Sequence, residues 1–225
     1  MDMLTLHKPI PRGAVWLSFD DGFRALRENV LPLVREYKVP ITLFIPSGIV
    51  EGDGMFPWLP KNGPRQSLTL PELKEIAAYS EVTIGSHTVN HVVTARVAGD
   101  ALRYELAESK RALESWTGAM VECFAYPEGR YDGRERQALI ECGYKLAATT
   151  NSALLTPDSD PYLAPRFSVA DNISFPEAIC NMVGVWSPAT SPIKRVIRRG
   201  HEALSGVTQH LVPPRTAPPN SMIGR

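Results

Sequence analysis

Asp20 and Asp21 stand side by side, directly after an apolar run at 14–19 and directly before Gly22. Adjacent carboxylates at a strand end can divide labour, one facing a cation and the other the water to be activated. His87 and His91 form a second group, four residues apart and directly after another predicted strand, 82–86. In a helical turn that spacing points both imidazoles the same way, onto one ion. Taken singly, each feature has a plainer meaning: the DDG is a polar turn capping the next helix, and the histidines share an ordinary polar turn with Ser86, Thr88 and Asn90. Taken together, Asp21, His87 and His91 make a set of two histidines and one carboxylate, with Asp20 left over as a candidate base. Zinc is the usual occupant of such a set, and cobalt, nickel and manganese suit overlapping ligands. Cysteine does not compete for the role. Cys123, Cys142 and Cys180 are an odd number at wide spacings with no CxxC, which argues against a disulfide framework and a thiolate zinc site. Cys123 and Cys142 fall on a predicted strand and helix and are expected in the core.

The elements that must position these residues read as alternating strands and helices. The run at 14–19 is a buried strand, and 24–37 is an amphipathic helix despite Pro32, with Leu26, Val30, Leu33, Val34 and Tyr37 at spacings of three and four. A second strand covers 41–45, followed by a long surface loop, 46–66, rich in Gly and Pro and carrying Phe56 and Trp58. Thr69 with Glu72, and Pro71 in the first turn, is a capping-box start for a helix to about Tyr79. The strand at 82–86 leads into His87. Leu102, Leu106, Leu113 and Trp116 share one face of a helix at 100–116, between a capping Asp100 and Gly118. A strand at 121–126 ends at Pro127, and Asp132 with Glu135 opens a helix that Gly143 terminates. Strands at 144–149 and 162–169 complete the alternation, which implies parallel strands with helices outside. In α/β barrels the C-terminal strand ends converge, so distant positions such as Asp21 and His87 can share one site.

Composition supports an α/β domain and excludes several classes. With 225 residues and 44% hydrophobic content, one sizeable core is expected. Lys and Arg total 24 against 24 Asp and Glu, so nothing draws the chain to nucleic acid. The domain is expected over 1–170, a helical C-terminal extension over 171–210 with short helices at 174–186 and 192–204, and a disordered tail over 211–225. The second of these helices carries Lys194, Arg195, Arg198 and Arg199. That basic face is either solvated or a peripheral contact to a membrane surface or anionic glycolipid. An early acid and the lack of an apolar run near the N-terminus give the expectation of a cytoplasmic, optionally membrane-associated protein. Oligomeric state has no signature in the sequence.

The motifs together are similar to those of polysaccharide deacetylases, the NodB-homology class of carbohydrate esterase family 4. SFDDG at 18–22 resembles the first family motif, SHTVNH at 86–91 the second, and FAYPEG at 124–129 part of the third. VPITLFIPSG at 39–48 and YLAPRFSV at 162–169 add to a resemblance over about 14–170. It implies a deformed (β/α) barrel of the NodB-homology type with a divalent metal in its mouth, acting on an N-acetylated glycan or glycolipid. Asp20 then corresponds to the general base, Asp21, His87 and His91 to the metal ligands, and Tyr126, Pro127 and Glu128 to a substrate and oxyanion segment offering a backbone N–H. The chemistry agrees: an amide carbonyl is a poor electrophile, so a metal that polarises it and acidifies water helps, and a positioned base contributes roughly 10²–10⁴ in rate.

Several departures from the family pattern matter. Glu128 stands where the family often has an aromatic residue. Ala125 stands where many members have an arginine, so the group orienting the base must come from elsewhere, and Arg166 is either that group or a barrel-rim ion pair. The family's late Leu-x-His acid has no clear match, since His201 and His210 fall in a predicted helix and tail, and His7 precedes the first strand. Leaving-group protonation then falls to water or to Asp20. Trp58 and Trp186 are either sugar-stacking or packing residues. The leading function is removal of N-acetyl from an amino sugar in a polysaccharide, oligosaccharide or lipid-linked precursor. The alternatives are removal of another acyl group, such as formyl, from an amino-sugar lipid, and a catalytically silent carbohydrate-binding protein.

Overall fold

The computed structural model describes residues 11, 13–60 and 63–169, with positions 176 and 179. Its sheet has five strands, β1 Leu17–Phe19, β2 Ile41–Ile45, β3 Val82–Ser86, β4 Cys123–Ala125 and β5 Leu146–Ala148, paired in sequence order. Every pairing is parallel. Six α-helices fill the crossovers: α1 Arg24–Asn29, α2 Leu31–Tyr37, α3 Ser47–Glu51, α4 Leu70–Ala77, α5 Gly99–Thr117 and α6 Glu135–Glu141. Unbroken sequential order has no switch point, so the helices collect on one face and the sheet curls into a half-barrel. The expected deformed (β/α) barrel is the fold observed. All these elements lie in the compact unit Met1–Ile173.

Side-chain alternation explains why apolar residues occupy both faces of β2, β4 and β5. Ile41, Leu43 and Ile45 of β2, Phe124 of β4 and Ala147 of β5 join the core beneath the helices, with Leu73, Ile76, Leu102, Leu106 and Leu113. The residues between them, Phe44, Cys123, Ala125, Leu146 and Ala148, form a second cluster on the concave face with Ala164. Strands buried on both faces lose the apolar–polar alternation of a half-exposed sheet. Four small side chains beside Phe44 leave room on the concave side.

Several sequence expectations are corrected. The helix over 24–37 is two helices, because Pro32 has no N–H for the carbonyl of Glu28; the chain restarts after Val30 with Pro32 in the first turn of α2. The 46–66 segment is not simply a surface loop: it contains α3 and buries Ile49, Val50 and Phe56. The Arg65 guanidinium ties it together, donating to the carbonyls of Ile49, Val50, Gly52 and Leu68. Asp100 lies inside the first turn of α5 and Ala98 is the N-cap; there the carboxylate meets the helix dipole without capping an amide. The second capping box is displaced, since Glu135 accepts from Asp132 N and Gly133 N while Asp132 accepts from Arg134 N. The strand expected at 162–169 reduces to a turn, Pro161–Leu163, and one parallel bridge from Ala148 to Ala164, because Pro165 cannot donate to a ladder.

Other expectations hold. The capping box at Thr69 and Glu72 is fully formed. Gly118 ends α5 in the left-handed conformation, φ 69°, that favours glycine. Cys123 is buried and Cys142 is half-buried at the end of α6. Apart from positions 176 and 179, the expected C-terminal helices with their basic face, the tail, Cys180, Trp186, His7, His201 and His210 lie outside the described residues. Among those described, no helix is long and apolar enough to cross a membrane.

Candidate active site

The residues singled out for chemistry meet at the C-terminal ends of the strands. Asp20 and Asp21 follow β1, His87 follows β3, and FAYPEG runs out of β4. One ligand atom each from Asp21, His87 and His91 lies within 4.8 Å of the other two. His87 Nε2 is 3.6 Å and His91 Nε2 is 3.1 Å from Asp21 Oδ1. His87 Nδ1 lies 2.8 Å from the carbonyl oxygen of Ala125 at the end of β4. A carbonyl only accepts, so Nδ1 carries the proton of the neutral ring and Nε2 presents a lone pair toward Asp21. Burial drives His87 toward that neutral form, against the opposing pull of Asp20 and Asp21. Asp21 Oδ1 is itself buried without a hydrogen bond. An orphaned carboxylate oxygen facing an imidazole lone pair is unfavourable unless a cation lies between them, so these residues fit a divalent metal.

The histidine pair is not on a helical turn, which corrects the sequence expectation. Thr88 and His91 have φ of 67° and 54°, left-handed values that cost about 1–3 kcal/mol each and persist only where surroundings impose them. The loop carbonyls of Thr88 and Val89 accept from Ser47 N at 3.2 Å and Gly48 N at 2.8 Å, at the start of α3. A Cβ on Gly48 would lie 2.8 Å from Val89 Cγ1 and 2.9 Å from its carbonyl oxygen, so only glycine allows this approach. On the other side, Glu105 of α5 accepts from Val89 N at 2.8 Å, Asn90 N at 3.0 Å and Asn90 Nδ2 at 2.7 Å. Sequence reasoning missed both Gly48 and Glu105. The available signal was an acid beside Leu102 and Leu106 on the buried stripe of α5.

Asp20 is held from the far side of the fold. Arg166 Nη1 lies 2.8 Å from Oδ1 and Nη2 2.9 Å from Oδ2, a two-pronged pair. The same guanidinium donates to Ser18 Oγ and to the Thr149 carbonyl. Burial pushes the Asp20 carboxyl up, but the neighbouring His87, the hydrogen bonds and charge of Arg166, and His91 outweigh it and hold the group below the usual range.

Asp20, Asp21 and the two histidines line a cleft of roughly 360 Å³ together with Trp58, Glu128 and Thr150. Trp58 packs on His91 and on Phe56, with ring centroids 4.2 and 5.0 Å apart, and remains 47% exposed. Glu128, at φ 57°, sits at the rim and pairs with Arg130 at 3.2 Å. Tyr126 turns away from the cleft: its ring is buried and its hydroxyl donates to the Tyr162 carbonyl at 3.1 Å. Its amide is committed to Ala148 and that of Gly129 to Tyr126, while Pro127 has none. Glu128 N–H is the amide of this turn that has no backbone acceptor.

The half-barrel thus carries a carboxylate–histidine cluster and a clamped second carboxylate at the C-terminal ends of its parallel strands. The chain belongs to the polysaccharide deacetylase family, whose family model matches residues 7–147, in agreement with the motif resemblance. YxkH of Bacillus subtilis, a protein assigned provisionally by name to the polysaccharide deacetylases, is 25% identical over 172 residues, covering 76% of this chain and 57% of that protein. A poly-beta-1,6-N-acetyl-D-glucosamine N-deacetylase of Staphylococcus aureus is 26% identical over 170 residues, 72% of this chain and 56% of the relative. The chain thus spans little more than half the length of the curated relatives it matches. Among solved structures, the Streptococcus pyogenes deacetylase PplD, in complex with acetate, superposes with a TM-score of 0.66 at 25% identity, covering 79% of this chain and 76% of that one. A de-N-acetylase of Aggregatibacter actinomycetemcomitans shares the fold at TM-score 0.66 and 20% identity, covering 80% and 79%.

Proposed function

We propose that this chain is a metal-dependent hydrolase that removes N-acetyl groups from an amino-sugar glycan, with Asp21, His87 and His91 as metal ligands and Asp20 as the base. The observation that carries the reading is the buried, unpartnered Asp21 Oδ1 with both histidines converging on it beside the clamped Asp20. Asp21, His87 and His91 would hold a divalent ion, which would supply Lewis acidity toward the amide carbonyl and the attacking water. Asp20 takes the proton of the attacking water, with Arg166 fixing both its oxygens so that only the cleft-side lone pairs remain. The water oxygen bonds to the acyl carbon, and the developing oxyanion meets Glu128 N–H. The C–N bond then breaks, Asp20 returns its proton to the sugar nitrogen, and acetate and a free amine depart.

Poly-N-acetylglucosamine is the first substrate class to test, because a relative of similar coverage is named for it; Trp58, stacked and half-exposed, suits a pyranose face. The test incubates purified protein with N-acetylated oligosaccharides and glycolipids, with and without chelator, and identifies the released acid by mass. Chelator-sensitive acetate supports the reading. Release of formate redirects it to another acyl group, and glycan binding without any released acid replaces it with a silent binding protein.

A further inference from the structure

We propose that Glu105 is a positioning residue for the metal centre: from α5 its carboxylate fixes the backbone between His87 and His91 so that the two imidazoles meet at Asp21. The proposal rests on the reading of Asp21, His87 and His91 as ligands.

Burying a carboxylate among leucines is costly unless hydrogen bonds replace its water. Glu105 is 6% exposed and spends both oxygens on one short step of chain, Oε2 on the amides of Val89 and Asn90 and Oε1 on the Asn90 side chain. Those amides lie inside the five-residue stretch whose ends are the histidines. Thr88 and His91, on either side of them, are in left-handed conformations that a threonine and a histidine do not favour. The loop's carbonyls are taken by the start of α3 and its amides by Glu105, so the strained path is imposed from both sides. Ser109, one turn further along α5, bonds Ser86 at 2.8 Å. One helix thus pins the chain at Ser86, before His87, and at Val89 and Asn90, between the two histidines. Metal sites whose supporting hydrogen bonds are cut lose about 10–100-fold in affinity.

The test is a charge-swap cycle read by zinc affinity, using competition with a chelator, alongside the melting temperature of the metal-free protein. Glu105→Gln leaves one carbonyl oxygen for the two loop amides and replaces the charge-assisted bonds to them and to Asn90 with weaker neutral ones. Asn90→Asp, an exposed position, sets a second carboxylate against Glu105. Each single change is expected to weaken zinc binding by roughly tenfold or more. The double variant is expected to recover it, since the side-chain amide introduced by Glu105→Gln then donates to the carboxylate introduced by Asn90→Asp. Glu135→Gln serves as comparison, because that buried carboxylate holds the turn at 132–133 and the Thr94 hydroxyl three residues past His91, but bonds no atom of the 87–91 loop itself; it is expected to lower the melting temperature and leave zinc affinity unchanged. Wild-type affinity in Glu105→Gln, or equal loss in Glu135→Gln, overturns the assignment of Glu105 alone. Failure of the wild type to bind zinc overturns the ligand reading and this proposal with it.

Discussion

Arg166 grips both oxygens of Asp20, at 2.8 and 2.9 Å, from a segment 146 residues away in sequence. A fork-to-fork pair fixes orientation as well as charge, which is what a base needs if its remaining lone pairs are to face a bound water. Arg166→Lys keeps the charge and loses the fork. Both Arg166→Lys and Arg166→Ala are expected to lower kcat, the alanine variant by roughly 10²-fold, with KM and metal content little changed. Steady-state kinetics with metal analysis checks this; a rise in KM at constant kcat would make Arg166 a substrate contact instead.

Gly48 offers a test of the histidine loop that touches no charged group. Its missing Cβ lets Val89 approach, so Gly48→Ala must push the loop or α3 aside. The expected cost is about 1–3 kcal/mol of stability, with weaker metal binding. Denaturant melts and metal titration of the variant read the two effects; unchanged values for both would mean the contact relaxes freely.

Glu72 links α4 to α1, accepting from Thr69 N and Oγ1 at 2.9 Å each and from Arg24 Nε at 3.1 Å. Burial pushes its carboxyl up, but the Thr69 bonds and Arg24 outweigh it, so the folded protein holds it below the usual range. A depressed carboxylate contributes stability that is present above its unfolded value and lost as pH falls through the folded one. The wild-type melting temperature is therefore expected to fall between about pH 5 and 3 more steeply than that of Glu72→Gln. Parallel curves for the two proteins would remove Glu72 from the acid response.

The legible parts of the molecule were those written in local pattern. Ile41–Ile45 and Val82–Ser86 are short β-branched and apolar stretches and became β2 and β3 at the expected bounds. The Thr69–Glu72 box and Gly118 marked helix ends because side-chain and backbone chemistry act within a few residues there. The site residues Asp20, Asp21, His87 and His91 were legible as residue types after strands, and parallel topology explains why they meet. Illegible were the features set by a distant backbone. The left-handed path of Thr88 to His91 depends on amides from α3 and a carboxylate from α5, and no spacing rule encodes it. The helix over 24–37 is expected from hydrophobic periodicity despite Pro32, and the missing N–H prevails in the structure; Pro165 ends the strand pattern at 162–169 in the same way. The cleft-averted ring of Tyr126 follows from alternation about β4, where Phe124 and Tyr126 share the helix-side core.

The most direct test of the account is metal stoichiometry across four purified proteins: wild type, Asp20→Asn, Asp21→Asn and His91→Gln. If Asp21 and the histidines hold the ion and Asp20 is the base beside it, wild type and Asp20→Asn carry about one divalent metal per chain, Asp21→Asn and His91→Gln lose it, and only wild type releases acetate at full rate. Retention of stoichiometric metal by Asp21→Asn and His91→Gln would contradict the account at its centre.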